Sequence, residues 1–129
     1  MSEFSEVKTA DLVGAALDWG VAKAEGLDCG LWKKGSAPGY CVIIVSTFFC
    51  PATKWADCGP LIEKYQIDLT FERKGTIYAY PCNDDGLPDT SRQFDEYGSF
   101  GSTYLIAACR AIVASVLGET VSVPKELLS

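Results

Sequence analysis

Gly101-Ser102-Thr103-Tyr104-Leu105-Ile106-Ala107-Ala108-Cys109-Arg110-Ala111-Ile112-Val113-Ala114-Ser115-Val116-Leu117-Gly118 is the stretch that decides the fold class of this chain. Hydroxyl residues open it, a proline-free apolar run follows, and a glycine closes it. That order predicts a helix over about 103–117, capped by Ser102 or Thr103 and stopped at Gly118. Leu105, Ile106, Cys109, Ile112, Val113, Val116 and Leu117 form its expected core stripe. Ala107, Ala111 and Ala114 lie on another side, where a second backbone could approach closely.

Working outward, Ile67–Phe71 and Thr76–Tyr80 read as two short strands joined by a turn at Lys74-Gly75. Tyr40–Phe49 is uniformly apolar and reads as a central strand buried on both faces. Pro60 is expected to open a short helix over 61–65, as proline favours a first helical position. A first helix is predicted from about Lys8 to Glu25, with Thr9 as its cap and Gly26 as its stop. On it Leu12, Val13, Ala16, Leu17, Gly20, Val21 and Ala24 share one face, and Asp11, Asp18 and Glu25 the opposite one. Residues 81–101 form a long loop and Val121–Pro124 a short extended tail. The fold class is α+β: a small antiparallel sheet with two main helices packed on it, in a single domain over 1–129.

Composition narrows the function. The 129 residues carry 11 basic against 17 acidic side chains, net charge −6, with only three arginines, which argues against nonspecific nucleic-acid binding. No apolar run approaches the ~20 residues of a membrane span. The acidic start, Met1 to Glu6, has no apolar core of a signal peptide, so a cytoplasmic protein is expected. Histidine is absent, which removes Cys–His and Ser–His nucleophiles and histidine-ligated metals together. No two of Cys29, Cys41, Cys50, Cys58, Cys82 and Cys109 are spaced as a CxxC pair. Free thiols are expected, with Cys41 and Cys109 as small core residues. No metal site or cofactor is expected.

Three segments can carry chemistry. Phe49 to Pro60 places Thr53, Lys54, Trp55 and Asp57 on one loop, where Trp55 can stack a flat ring while Thr53 and Lys54 meet an anion. Alternatively Trp55 plugs the core. Gly101, Ser102 and Thr103 open the last helix, and amides converging at a helix start can hold an anion. Plain capping by Ser102 or Thr103 is the competing reading. Arg110, two turns along, can reach a phosphate or pair with a carboxylate such as Glu63. The acidic group Asp84, Asp85, Asp89, Asp95 and Glu96 lacks EF-hand spacing and reads as a solvated loop.

Three blocks carry a family resemblance: Val7-Lys8-Thr9 with Leu12 through Gly26, Phe49 through Glu63, and Gly101 through Leu127. In that order they resemble the NinX-type family of small tailed-phage and prophage proteins. The chain departs from the family pattern at Ala52, Lys54, Cys58 and Tyr104, where serine, aspartate, glycine and proline are usual, whereas Thr53, Trp55, Thr103 and Arg110 match. The resemblance implies a phage accessory protein acting in an infected bacterial cytoplasm, and it supplies no reaction. The leading expectation is a non-enzymatic counter-defence protein that sequesters a nucleotide-like signal. Trp55 and Trp19 would stack the base, and Thr103, the 101–103 backbone and Arg110 would hold phosphates. The alternative is a module that binds and modulates a host protein. A hydrolase using carboxylate-held magnesium ranks third. A homo-oligomer is expected from the alanine face of the last helix and the number of aromatics.

Overall fold

A computed structural model describes residues 3–33, 35, 39–88 and 98–128. Its hub is α3, Tyr104–Leu117, which packs against α1 (Gly14–Ala24), α2 (Trp55–Lys64) and the sheet strands β5 (Ile67–Arg73), β6 (Thr76–Pro81) and β7 (Ser99–Gly101). A helix surrounded in this way must be apolar on nearly every side. Ala107, Ala108, Cys109, Ala111, Ile112 and Val113 are all fully buried. Of the alanines expected to receive a second copy, Ala107 and Ala111 are therefore spent inside the protomer, and Ala114 is half-buried. Val116 and Leu117, assigned to the core stripe, are exposed.

The chain is α+β, as expected, but three helices serve three small antiparallel sheets rather than two helices one sheet. In the first sheet, β1 (Phe4–Lys8) pairs with β8 (Thr120–Pro124), which joins the two ends of the described chain. β2 (Gly30–Trp32), β3 (Cys41–Ile44) and β4 (Thr47–Phe48) make the second. In the third, β5 and β6 form the expected hairpin around Lys74-Gly75, with Gly75 at φ 85°, and β7 adds to the outer side of β6. Of the expected 81–101 loop, positions 89–97 lie outside the described residues, Asp89, Asp95 and Glu96 among them, as does Lys34 earlier in the chain.

Local stops are where they were expected. At the end of α1, Gly26 (φ 68°) donates to Lys23 O and Leu27 to Ala22 O, the paired bonds of a glycine-terminated helix. Gly118 (φ 89°) closes α3 and donates to Ala114 O. Thr103 caps α3, its Oγ1 accepting from the Ile106 amide at 3.1 Å.

The starts differ. The first helix begins at Gly14, not Lys8, because residues 4–8 are drawn into the ladder with β8. Thr9 does not cap it. Thr9 is buried in a 3₁₀ turn, where its hydroxyl donates to Gly118 O at 2.7 Å and its amide to Glu119 O at 2.7 Å. Removing that hydroxyl strands a buried carbonyl. Thr9→Val is thus expected to lower stability by about 1–2 kcal/mol in urea denaturation, with no change in secondary structure by circular dichroism.

Asp18, expected on the solvent face of α1, is buried. The run 40–49 is not a two-faced central strand. It folds on itself as β3 and β4 around Val45-Ser46, and Val45, at φ 61° and 92% exposed, forms the tip. Only Val42 is fully buried there, and Cys41 is exposed rather than a core residue. The ten-residue run, interrupted by Ser46-Thr47, exceeds the typical five to six of one strand, so doubling back was open to it. α2 starts at Trp55, well before the expected 61–65, and carries Pro60 in its interior. Asp57 and Cys58 both donate to Lys54 O, so the turn is already wound before proline removes a donor.

Candidate functional site

The Phe49–Pro60 segment and the start of α3 meet in space. The loop at 50–54 is wound tightly, with Thr53 N and Lys54 N both donating to Cys50 O at 3.1 and 2.9 Å. Two carboxylates tie it down: Asp18 Oδ1 accepts from the Ala52 amide and Asp57 Oδ2 from the Cys50 amide, each at 2.9 Å. Burial pushes the Asp18 carboxyl up to about 6; the Ala52 amide opposes the shift and the nearby Asp57 charge adds to it. Asp57, expected to face a ligand, is therefore spent on holding its own loop.

This rigid turn presents Trp55 outward, 57% exposed, beside Tyr104 at the first position of α3. The two rings are 6.5 Å apart between centroids and tilted by 42°. Ala52, Thr53, Trp55, Thr103, Tyr104 and Ile106 line a shallow cleft of about 340 Å³ between them. Trp55 does not plug the core. Within the first turn of α3 the Ile106 amide is taken by Thr103 Oγ1, which leaves the Tyr104 and Leu105 amides outside the helix ladder.

Other expected members lie elsewhere. Arg110 faces a different groove; its Nε donates to Leu12 O at 3.0 Å and its Nη1 to Phe100 O at 2.9 Å, and its bonds are to main-chain carbonyls rather than to Glu63. The helical turn is the reason, since six residues on from Tyr104 a side chain points about 120° round the helix from it. Trp19 is buried, with its Nε1 donating to Ser122 O at 3.2 Å, Phe4 against it and Lys23 Nζ 4.6 Å over its ring. Lys54 immediately precedes α2 and does not line the cleft, nor does the exposed Ser102. Gly101 is buried where a Cβ would lie 2.7 Å from Ala107 N, so close packing and not anion cradling demands glycine there. Tyr104, the second wall of the cleft, was missed as a site residue. Its signal is an aromatic directly after a helix cap, where the side chain lies outside the core stripe.

Behind the cleft, Cys58 Sγ of α2 and Cys109 Sγ of α3 are 3.8 Å apart and fully buried. All six cysteines are free thiols. The hydrogen bond with Cys58 and burial push the Cys109 thiol far up, which keeps it protonated and inert. Among the described residues no cluster of three or more Cys, Asp or Glu side chains could hold a metal ion. Also among them, no helix is long and apolar enough to cross a membrane.

The fold and cleft define a small mixed α+β protein with an aromatic surface recess framed by two helix starts. The family model described as Bacteriophage P22, NinX, matches residues 8–116, and the chain belongs to that family. The match takes in α1, the whole 50–64 segment and nearly all of α3, so both walls of the cleft fall inside it. Membership makes this a bacteriophage-type protein, to be produced in an infected host cell. No curated protein matches the chain.

Proposed function

We propose that this is a non-enzymatic phage accessory protein that captures a small nucleotide-like molecule in the Trp55–Tyr104 cleft, as a counter-defence sponge in the host cytoplasm. The observation that carries the reading is the exposure of two large rings side by side. Stacking of a base on such a platform is worth ~1–3 kcal/mol per aromatic. The Thr53 hydroxyl and the Tyr104 and Leu105 amides of α3 can donate to a phosphate at the same wall. No cationic side chain lines the cleft among the described residues, and its volume sits at the low end of ligand pockets. Both features favour a mononucleotide-sized ligand of low charge over an oligonucleotide.

Thermal-shift measurements with cyclic nucleotides and ADP-ribose derivatives at ~1 mM test this. At least one is expected to raise Tm, and Trp55→Ala and Tyr104→Ala are each expected to cut its affinity about tenfold or more while leaving the unliganded Tm within about 2 °C. A panel without any shift would sink the proposal.

A second reading, a module that binds a host protein, draws on the β2–β4 sheet. Trp32, Cys41, Ile43 and Phe48 share its outward face, and Val45 stands at its tip. A stoichiometric host partner lost on Phe48→Asp, with the cleft variants still binding it, would favour this reading.

A further inference from the structure

We propose a second ligand site, separate from the aromatic cleft: the groove over Arg110, built to hold a small carboxylate with an apolar body. The groove, about 950 Å³, runs between β7 and the β1–β8 ribbon with α3 as its floor, and its lining includes Lys8, Ser99, Phe100, Arg110, Leu117 and Glu119. That volume is in the range of ligand pockets, ~300–1,000 Å³.

Arg110 is the reason for an anion. Its guanidinium is fixed in place by two backbone carbonyls of different segments, Leu12 O and Phe100 O. Those bonds use Nε and Nη1, and Nη2 has no hydrogen-bond partner among the described residues. No carboxylate among the described residues forms an ion pair with it. Burial depresses its pKa against the opposing pull of the Asp11 charge, so the cation is partly stripped of water with no carboxylate bonded to it among the described residues. A held, half-dry guanidinium edge is what a ligand carboxylate binds best.

The walls choose the body. Leu117, 38% exposed, and Ala114 line the groove, and Phe100 contributes its backbone there, its ring lying beside Tyr78 on the sheet face turned away from α3. Apolar surface of that kind gains from covering by an aryl or alkyl group. Lys8 adds a second cation, while Glu119 in the lining and Asp11, near enough to stabilise the Arg110 charge, oppose it. That balance favours a single negative charge and disfavours polyanions.

The test is titration of the ¹⁵N-labelled full chain with phenylacetate, with benzyl alcohol and inorganic phosphate as separate arms. Phenylacetate is expected to give saturable shifts at the amides of Ser99, Phe100, Glu119 and Thr120, with Trp55 and Tyr104 unmoved. Arg110→Lys is expected to weaken it about tenfold. Ala114→Leu, which keeps the guanidinium and fills the floor of the groove, is expected to do the same, so loss of binding does not depend on a variant that disturbs Arg110's own bonds. Equal response to benzyl alcohol would show that the anion is not recognised. Tighter response to phosphate would show that the apolar walls are not used. Either result, or affinity unchanged in both variants, overturns the assignment. Trp55→Ala leaves this titration unchanged, so failure here is separable from failure of the aromatic cleft.

Discussion

Gly101→Ala is expected to destabilise the protein by about 3 kcal/mol, at the upper end of what overpacking costs. A Cβ at this position would lie 2.7 Å from both Ala107 N and Ile106 Cγ2. The first of these is backbone in the opening turns of α3, and it cannot swing aside. Relief requires the helix to lift from β7, which is the last strand before it and pairs with β6 at Ile77↔Gly101. The same displacement would carry Tyr104 away from Trp55. Ser102→Ala, one residue on and exposed, is the control and is expected to change stability by less than about 0.5 kcal/mol. Urea denaturation of both variants decides the matter. A loss below about 1 kcal/mol for Gly101→Ala would mean that α3 does not rest on the strand end as closely as described.

The second large effect is a pH dependence. The Asp18 carboxyl is raised in the folded state from 3.8 to about 6, chiefly by burial. The folded protein therefore holds this proton more tightly than the unfolded chain does. The contribution is fully present below about pH 4 and is lost as pH rises through about 6, a withdrawal of about 3 kcal/mol. Other carboxylates titrate in the same window, so the comparison must be with Asp18→Asn. Asparagine keeps an acceptor for the Ala52 amide and carries no charge. The stability of the wild type minus that of Asp18→Asn is expected to fall by about 3 kcal/mol between pH 4 and pH 7.5. A difference that stays flat across that range would show that Asp18 is not desolvated.

What could be read from residues alone was what neighbours in sequence decide. The cap at Thr103, the stops at Gly26 and Gly118 and the Lys74-Gly75 turn each depend on bonds spanning a few residues. Apolar spacing likewise marked Leu12, Ala16, Leu17 and Val21 as buried, and all four are. The readings that failed concern residues whose state is set by distant partners. Thr9 looks like a helix cap until its partner, 109 positions away, is known. Asp18 sits on the polar face of a helical wheel, yet the loop that buries it lies 34 residues on. Tyr40–Phe49 is apolar enough for a central strand, but pattern cannot say that it will double back and show one face to water. At the site, Trp55, Thr53 and Thr103 were legible as a group, whereas Arg110 and Trp19 were grouped with them by chemistry and are parted by geometry.

The amino-acid sequence by itself determined the mixed α+β class, the ends of two helices, one hairpin, the lack of any histidine chemistry and the resemblance to a phage family. Only the tertiary structure decided that an indole from one helix start and a phenol from another would share a recess, and that the guanidinium would face a groove of its own. The reason is the range of the forces involved. Capping and turn formation act over one or two turns of chain, while the position of a side chain in space follows from burying apolar surface between elements far apart in sequence, a term no short window of residues contains.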